Sequence, residues 1–140
     1  MSVLKKLNPD WGVAMLRITM GVLFLAHVVM RISMVTMPVS VEFFNSVGLP
    51  SWVAYTVTAT EAVCGVLLII GWLVRLASLV CLPVLVGAIV LVHGENGFFF
   101  SNPNGGWEYP AFWVVALLAQ STFGAGAFSI DNWFSKRDSR

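Results

Sequence analysis

The chain has 140 residues, of which 58% are hydrophobic and only 11% charged, and its mean hydropathy is +0.84. Soluble domains carry roughly 25% charged residues, so the composition excludes a soluble globular protein and points to a membrane protein built as one compact bundle. A net charge of +1, with no basic stripe, no zinc-spaced Cys/His set, no phosphate loop and no GxGxxG, gives no case for nucleic-acid or nucleotide binding.

Lys5 and Lys6 precede the first apolar run, as in a signal peptide. Arg17 interrupts that run and no small-x-small cleavage site follows, so it reads as an uncleaved first span. This span runs from about Trp11 to Met34, ahead of Pro38. A short loop, Pro38–Leu49, carries Glu42, Phe43 and Phe44. The second span begins near Pro50, a favourable first helical residue, and ends near Trp72. The third runs from about Leu76 to Val92, with Pro83 predicting a kink. The loop His93–Tyr109 sets Phe98–Phe100 among Gly, Asn and Pro, so these rings form either a lid over the bundle mouth or an anchor in the lipid. The fourth span covers Pro110 to Phe128, and an amphipathic tail, 129–140, lies along the membrane surface from Asp131 to Phe134.

The ranges 11–34, 50–72, 76–92 and 110–128 each approach the roughly 20 residues that cross the hydrocarbon. They are too long and continuous for barrel strands, and lipid admits only helices or closed barrels. The fold class is therefore all-α, an integral membrane four-helix bundle forming a single domain over 1–140, with antiparallel neighbours joined by short loops. Lys5, Lys6, Arg75, Lys136, Arg137 and Arg140 fall on one side, whereas the opposite loops hold Glu42, Glu95 and Glu108 and no Lys or Arg. The positive-inside rule places both termini in the cytoplasm. Trp11, Trp72 and Trp133 then mark the inner interface, and Trp52, Tyr55, Trp107 and Tyr109 the outer one.

Glu61 stands near the centre of the second span, where a carboxylate costs roughly 2.5–3.5 kcal/mol on insertion scales and needs a partner. The first span offers His27 and Arg31, four residues apart on the face that also carries Arg17 and Phe24. Arg17 and Arg31 lie near the two ends, where each can snorkel to an interface. Thr58 and Gly65 share the Glu61 face: Thr58 to bond the carboxylate, Gly65 to admit a backbone or a flat ring. The proton or ligand site expected from the sequence is thus His27, Arg31, Thr58, Glu61 and Gly65, with His93, Glu95, Phe98, Glu108 and Tyr109 at its outer mouth. Desolvation and a neighbouring arginine pull a buried carboxyl in opposite directions, and a carboxyl beside an imidazole suits proton exchange with a reduced ligand. Gln120 is read as interhelical glue. Cys64 and Cys81 read as buried thiols; their place on consecutive spans leaves a disulfide open. His93 sits nearer the surface than His27, which argues against bis-histidine haem, and His27, His93 and Glu108 make a weak case for a lone metal ion.

Arg17, Gly21, Phe24, His27 and Arg31, then Gly48–Leu49–Pro50, Glu61, Gly65 and Gly71 before Arg75, and His93 before Gly97–Phe98 follow one another in order. Gly105–Gly106–Trp107–Glu108–Tyr109, Gly124–Ala125–Gly126 and Asp131 complete a pattern that resembles the DoxX-like membrane proteins from Arg17 to Asp131. Val28 stands where that pattern has a glycine. The resemblance implies a four-span protein of the bacterial inner membrane. The family takes its name from a small subunit associated with a terminal quinol oxidase and thiosulfate:quinone oxidoreductase, most of its members have no assigned activity, and the resemblance carries over no catalytic residues. The reading that follows is an accessory subunit of a quinone-linked redox system, with quinone as the ligand and the lipid bilayer, a redox complex or further copies of the chain as partners. A small oligomeric proton-coupled transporter and a structural assembly factor are the alternatives, and enzymatic activity stays open.

Overall fold

The computed structural model describes residues 8–138, which form helices and connecting turns with no strand. Lys5, Lys6 and Arg140 lie outside the described residues. Helix α1, Pro9–Val29, starts at Asn8, whose side chain accepts a hydrogen bond from the Asp10 N–H, and places Pro9 in the first turn, where a missing N–H costs nothing. It runs on into a π-helical turn, Met30–Met34, closed by the Val35 N–H donating to Met30 O. Helix α3 spans Ser51–Ile70 and ends on Gly71 at φ 73°, the left-handed cap that glycine favours. Helix α4, Val74–Ala88, tolerates Pro83 in its interior and continues into a second π-helical turn, Ile89–His93, and a short 3-10 turn, Gly94–Asn96. Helices α5, Glu108–Phe123, and α6, Ile130–Asp138, complete the chain.

Among the described residues, three helical stretches are long and apolar enough to cross a membrane: Pro9–Met34, Ser51–Ile70 and Val74–Asn96. Helix α5 is shorter, with 16 residues. Its last residue is Phe123, five residues before the expected Phe128, and Gly124 (φ 84°) caps it, because the segment after it turns its carbonyls toward Arg17. The expected loop Pro38–Leu49 is likewise corrected: Met37–Ser46 is a helix, α2. Its first turn uses Pro38 as α1 uses Pro9, and the Ser40 N–H and hydroxyl both donate to Thr36 O. Only Ser40 of its ten residues is buried, so the hydrophobic period that reveals a helix is weak there.

Helix α1 packs against α3, α3 against α4, α4 against α5, and α5 back against α1, while α2 lies on α3. The core of this ring joins Phe24, Leu68, Cys81, Trp113 and Leu117. Cys64 and Cys81 are both in it, as free thiols. Gln120 does not bridge helices; its Nε2 donates to Gly124 O at the end of its own helix.

Two contacts fix α1. Arg17 is fully buried instead of reaching an interface, and each of its five N–H donors meets a backbone carbonyl. Nε bonds Ala125 O at 2.9 Å, Nη1 bonds Leu68 O at 2.5 Å and Ile69 O at 2.7 Å, and Nη2 bonds Ala127 O at 3.0 Å and Phe128 O at 3.1 Å. Leu68 and Ile69 lie in the last turn of α3, whose carbonyls have no partner within the helix. One turn further on, α1 touches α3 backbone to backbone: a Cβ on Gly21 would stand 2.7 Å from Gly65 O and 3.1 Å from Ile69 N. Asp131 of α6 joins the same end by accepting from the Leu73 and Val74 N–H groups at 2.9 and 3.0 Å, capping α4.

Two outcomes are expected for the purified protein, scored by thermal unfolding in detergent. Gly21→Ala forces α1 away from α3 and costs about 1–3 kcal/mol. Arg17→Lys offers three donors to five carbonyls and costs on the order of 3 kcal/mol or more, despite its conserved charge.

Candidate functional site

At the opposite end of the bundle from Arg17, the π-helical turn re-aims the side chain that follows α1. Arg31 lies in that turn and points inward, with its side chain 12% exposed. Its Nη1 donates to Glu61 Oε2 at 2.5 Å and to Thr58 Oγ1 at 3.1 Å, and its Nη2 reaches Glu61 Oε1 at 3.5 Å. Of the two partners the sequence offers Glu61, the fold pairs it with Arg31, and the interfacial position expected for that arginine is not taken. Thr58 accepts from the guanidinium, does not bond the carboxylate, and donates its own O–H to Ala54 O at 2.7 Å.

His27 does not reach Glu61. Its Nδ1 bonds Leu23 O at 2.9 Å, one turn back on α1, and its ring lies against Trp113 with centroids 5.4 Å apart. Gly65 is not open to a ligand: a Cβ there would meet Leu25 at 3.0 Å and Gly21 O at 3.1 Å, so this glycine serves the α1–α3 contact.

Arg31, Glu61 and His27 share one wall of a cavity of about 520 Å³, within the range of sites for small organic ligands. Its other walls come from α2 (Phe43, Phe44), α4 with its π-helical turn (Gly87, His93) and the start of α5 (Tyr109, Trp113). Apolar side chains make up most of the lining. Trp113 gave no signal in the sequence beyond its aromatic character, since it lies a turn beyond the expected mouth. It is nevertheless the hinge of an aromatic row. From His27 the rings pass to Trp113, to Tyr109 at 5.7 Å, to Phe100 at 5.4 Å and to His93 at 6.3 Å.

The residues expected at the mouth divide into two groups. His93 and Tyr109 line the cavity, whereas Glu95 and Phe98 do not and are exposed. Phe98 packs edge-on against Phe99 and Trp107 on the outside of the loop. Of the three consecutive phenylalanines only Phe100 lines the cavity. Glu108 is taken up by the loop itself, accepting from the Phe100 N–H at 2.9 Å, and thereby fixes the Phe100 ring over the cavity. His93 Nδ1 bonds Gly105 O at 2.8 Å, and Asn96 Nδ2 donates to Val92, Asn104 and Gly105 carbonyls, so the loop is held closed by side chain to backbone bonds.

A family model for DoxX matches residues 12–94, more than half of the chain. The chain belongs to the DoxX family. The match takes in α1 to α4, and with them His27, Arg31, Glu61 and His93; Phe100, Tyr109 and Trp113 lie beyond it. Among curated proteins, the Bacillus subtilis (strain 168) protein named "Putative oxidoreductase CatD" is 35% identical over 81 residues, which are 58% of this chain and 59% of that relative. The chain thus spans less than two thirds of that DoxX-like relative's length. No solved structure matches the chain significantly.

The Arg31–Glu61 bond can be tested by a double-mutant cycle in detergent. Arg31→Leu or Glu61→Leu alone strands a buried charge and is expected to destabilise by about 3–5 kcal/mol. The double variant Arg31→Leu/Glu61→Leu recovers most of that loss, which thermal unfolding detects.

Proposed function

We propose that this DoxX protein is an accessory subunit of a quinone-linked redox system in the bacterial inner membrane, with the 520 Å³ cavity holding the quinone head group. The observation that carries the reading is the buried Arg31–Glu61 pair in the wall of an otherwise apolar cavity, flanked by two imidazoles. Ionisable groups inside a membrane bundle are costly and mark ligand or proton paths. The cavity wall supplies aromatic faces for a flat ring, with the Arg31–Glu61 pair and His27 in one wall and His93 at the far end of the aromatic row. In the same reading α5 completes a four-span bundle, with the Arg17 end and both termini toward the cytoplasm. Arg75 at that end, and Trp52 and Tyr55 exposed near the other, are consistent with the positive-inside rule and an interfacial aromatic belt. The oxidoreductase wording in the name of the Bacillus relative agrees with redox work.

Here Arg31 stabilises negative charge on the bound ring, Glu61 holds Arg31 in place, and His27 stands ready to exchange a proton with a ring oxygen. Phe100 and α2 keep water from the head group, and the long tail of such a ligand lies in lipid.

Gly87 provides a clean test, because no atom lies within 4 Å of the Cβ it lacks although it lines the cavity. A side chain therefore starts from Gly87 without a clash at its first carbon, and Gly87→Phe is the variant chosen to fill the site. Solvent extraction and mass detection of the detergent-purified protein are expected to find quinone in the wild type and none in Gly87→Phe at equal melting temperature. Absence of quinone from both, with Glu61-dependent proton-driven flux in proteoliposomes, would overturn the reading in favour of a transporter.

A further inference from the structure

The backbone fixes the hydrogen-bond polarity of two histidines in the cavity wall. In both rings Nδ1 faces a backbone carbonyl, Leu23 O at 2.9 Å for His27 and Gly105 O at 2.8 Å for His93. A carbonyl oxygen only accepts, so Nδ1 must carry the proton in each ring. In the neutral imidazole this leaves Nε2 as a lone-pair acceptor and as the only polar atom each ring can still offer. Both rings line the same cavity, at the two ends of the aromatic row through Trp113, Tyr109 and Phe100. Glu61 in the same wall is an acceptor as well, and its partner Arg31 turns Nη1 to Glu61 and Thr58 and Nη2 to the other Glu61 oxygen, so that its remaining N–H groups and the Tyr109 hydroxyl are the donors of the lining and neither imidazole supplies one. The indole N–H of Trp113 is covered by its neighbours and is not offered to the cavity.

A quinone presents two carbonyl oxygens, which only accept, and so meets acceptor with acceptor at both histidines. Its two-electron-reduced form presents two hydroxyl groups, which donate. We infer that His27 and His93 are paired specificity residues that accept the two hydroxyl hydrogens of a dihydroxyarene, so that the cavity binds the hydroquinone in preference to the quinone. This rests on the cavity being the ligand site proposed above and adds the redox state of its occupant. The backbone bonds at Nδ1 fix the tautomers, and a neutral hydrogen bond gained at each end corresponds to about fivefold in affinity. Preference for the reduced form also shifts the bound couple: each tenfold raises its midpoint potential by about 30 mV for two electrons. A quinone captured here is therefore easier to reduce than one free in lipid, and the site favours retaining the product of that reduction.

The test is anaerobic titration calorimetry of the detergent-purified protein with three probes of one shape: durohydroquinone, duroquinone and durohydroquinone dimethyl ether. The ether keeps the ring and its oxygens but has no O–H to donate. Durohydroquinone is expected to bind at least about tenfold more tightly than the other two. His27→Phe and His93→Phe, which keep an aromatic ring at each position, should each remove about fivefold of that preference. Equal affinity for hydroquinone and quinone, or a preference that survives both substitutions, overturns the inference while leaving a quinone site intact. Binding of none of the three probes overturns the quinone reading itself.

Discussion

Burying a guanidinium is tolerable only if all of its hydrogens are used, and Arg17 uses all five. The carbonyls it satisfies come from two otherwise unrelated places, the last turn of α3 and the segment after α5. Each had its own problem. The α3 carbonyls had no partner inside their helix, and the segment from Gly124 to Phe128 leaves the helical path at the level of the core. One side chain on α1 solves both, and so joins α1, α3 and α5 at one end of the bundle. The Gly21–Gly65 contact one turn along then brings the α1 and α3 backbones together, and Asp131 adds α6 and the start of α4 to the same end. That end is tied together by the five bonds of one guanidinium and the two bonds of one carboxylate.

The other end is built from the same type of residue with a different partner. Arg31 meets a carboxylate instead of a set of carbonyls, on a π-helical turn instead of a regular helix. There α2 and Phe100 of the loop 94–107 join α1, α3, α4 and α5 in lining a cavity. His93 sits on a second π-helical turn on the opposite side of this cavity. Such turns insert one residue into a helix and commonly mark functional sites; here each redirects one polar side chain toward the shared space. Thr36, held at φ 74° just after the first of them, is in a conformation that a β-branched residue rarely adopts. The link from Arg31 to α2 therefore carries strain at the edge of the cavity.

Much of the scaffold was legible in the chain. Long apolar runs announce helices regardless of their neighbours, and Glu61 announced itself as a group in need of a partner. The misreadings have specific causes. Helix α2 buries only Ser40 and so lacks a clear apolar stripe. The span expected to reach Phe128 stops as helix α5 at Phe123 because Arg17 recruits the carbonyls beyond it, an interaction with a residue more than a hundred positions away. Gly65 reads as space for a ligand until Gly21 is seen to occupy that space. Glu108 reads as a mouth carboxylate until the Phe100 N–H is found on it.

The sequence by itself determined the helical class, the apolar stretches able to cross a membrane and the identity of the costly groups: Arg17, His27, Arg31 and Glu61. Those follow from local composition and the price of burying charge, which need no coordinates. Only the tertiary structure decided who answers whom: carbonyls for Arg17, Glu61 for Arg31, and backbone oxygens for both histidines. Hydrogen bonds act over about 3 Å, whereas the positions they join here lie from four to more than a hundred residues apart, so no reading of spacing could fix them. The Trp113 row and the cavity it lines depend on the same fact: a wall exists only once five helices and a loop have been brought to one place.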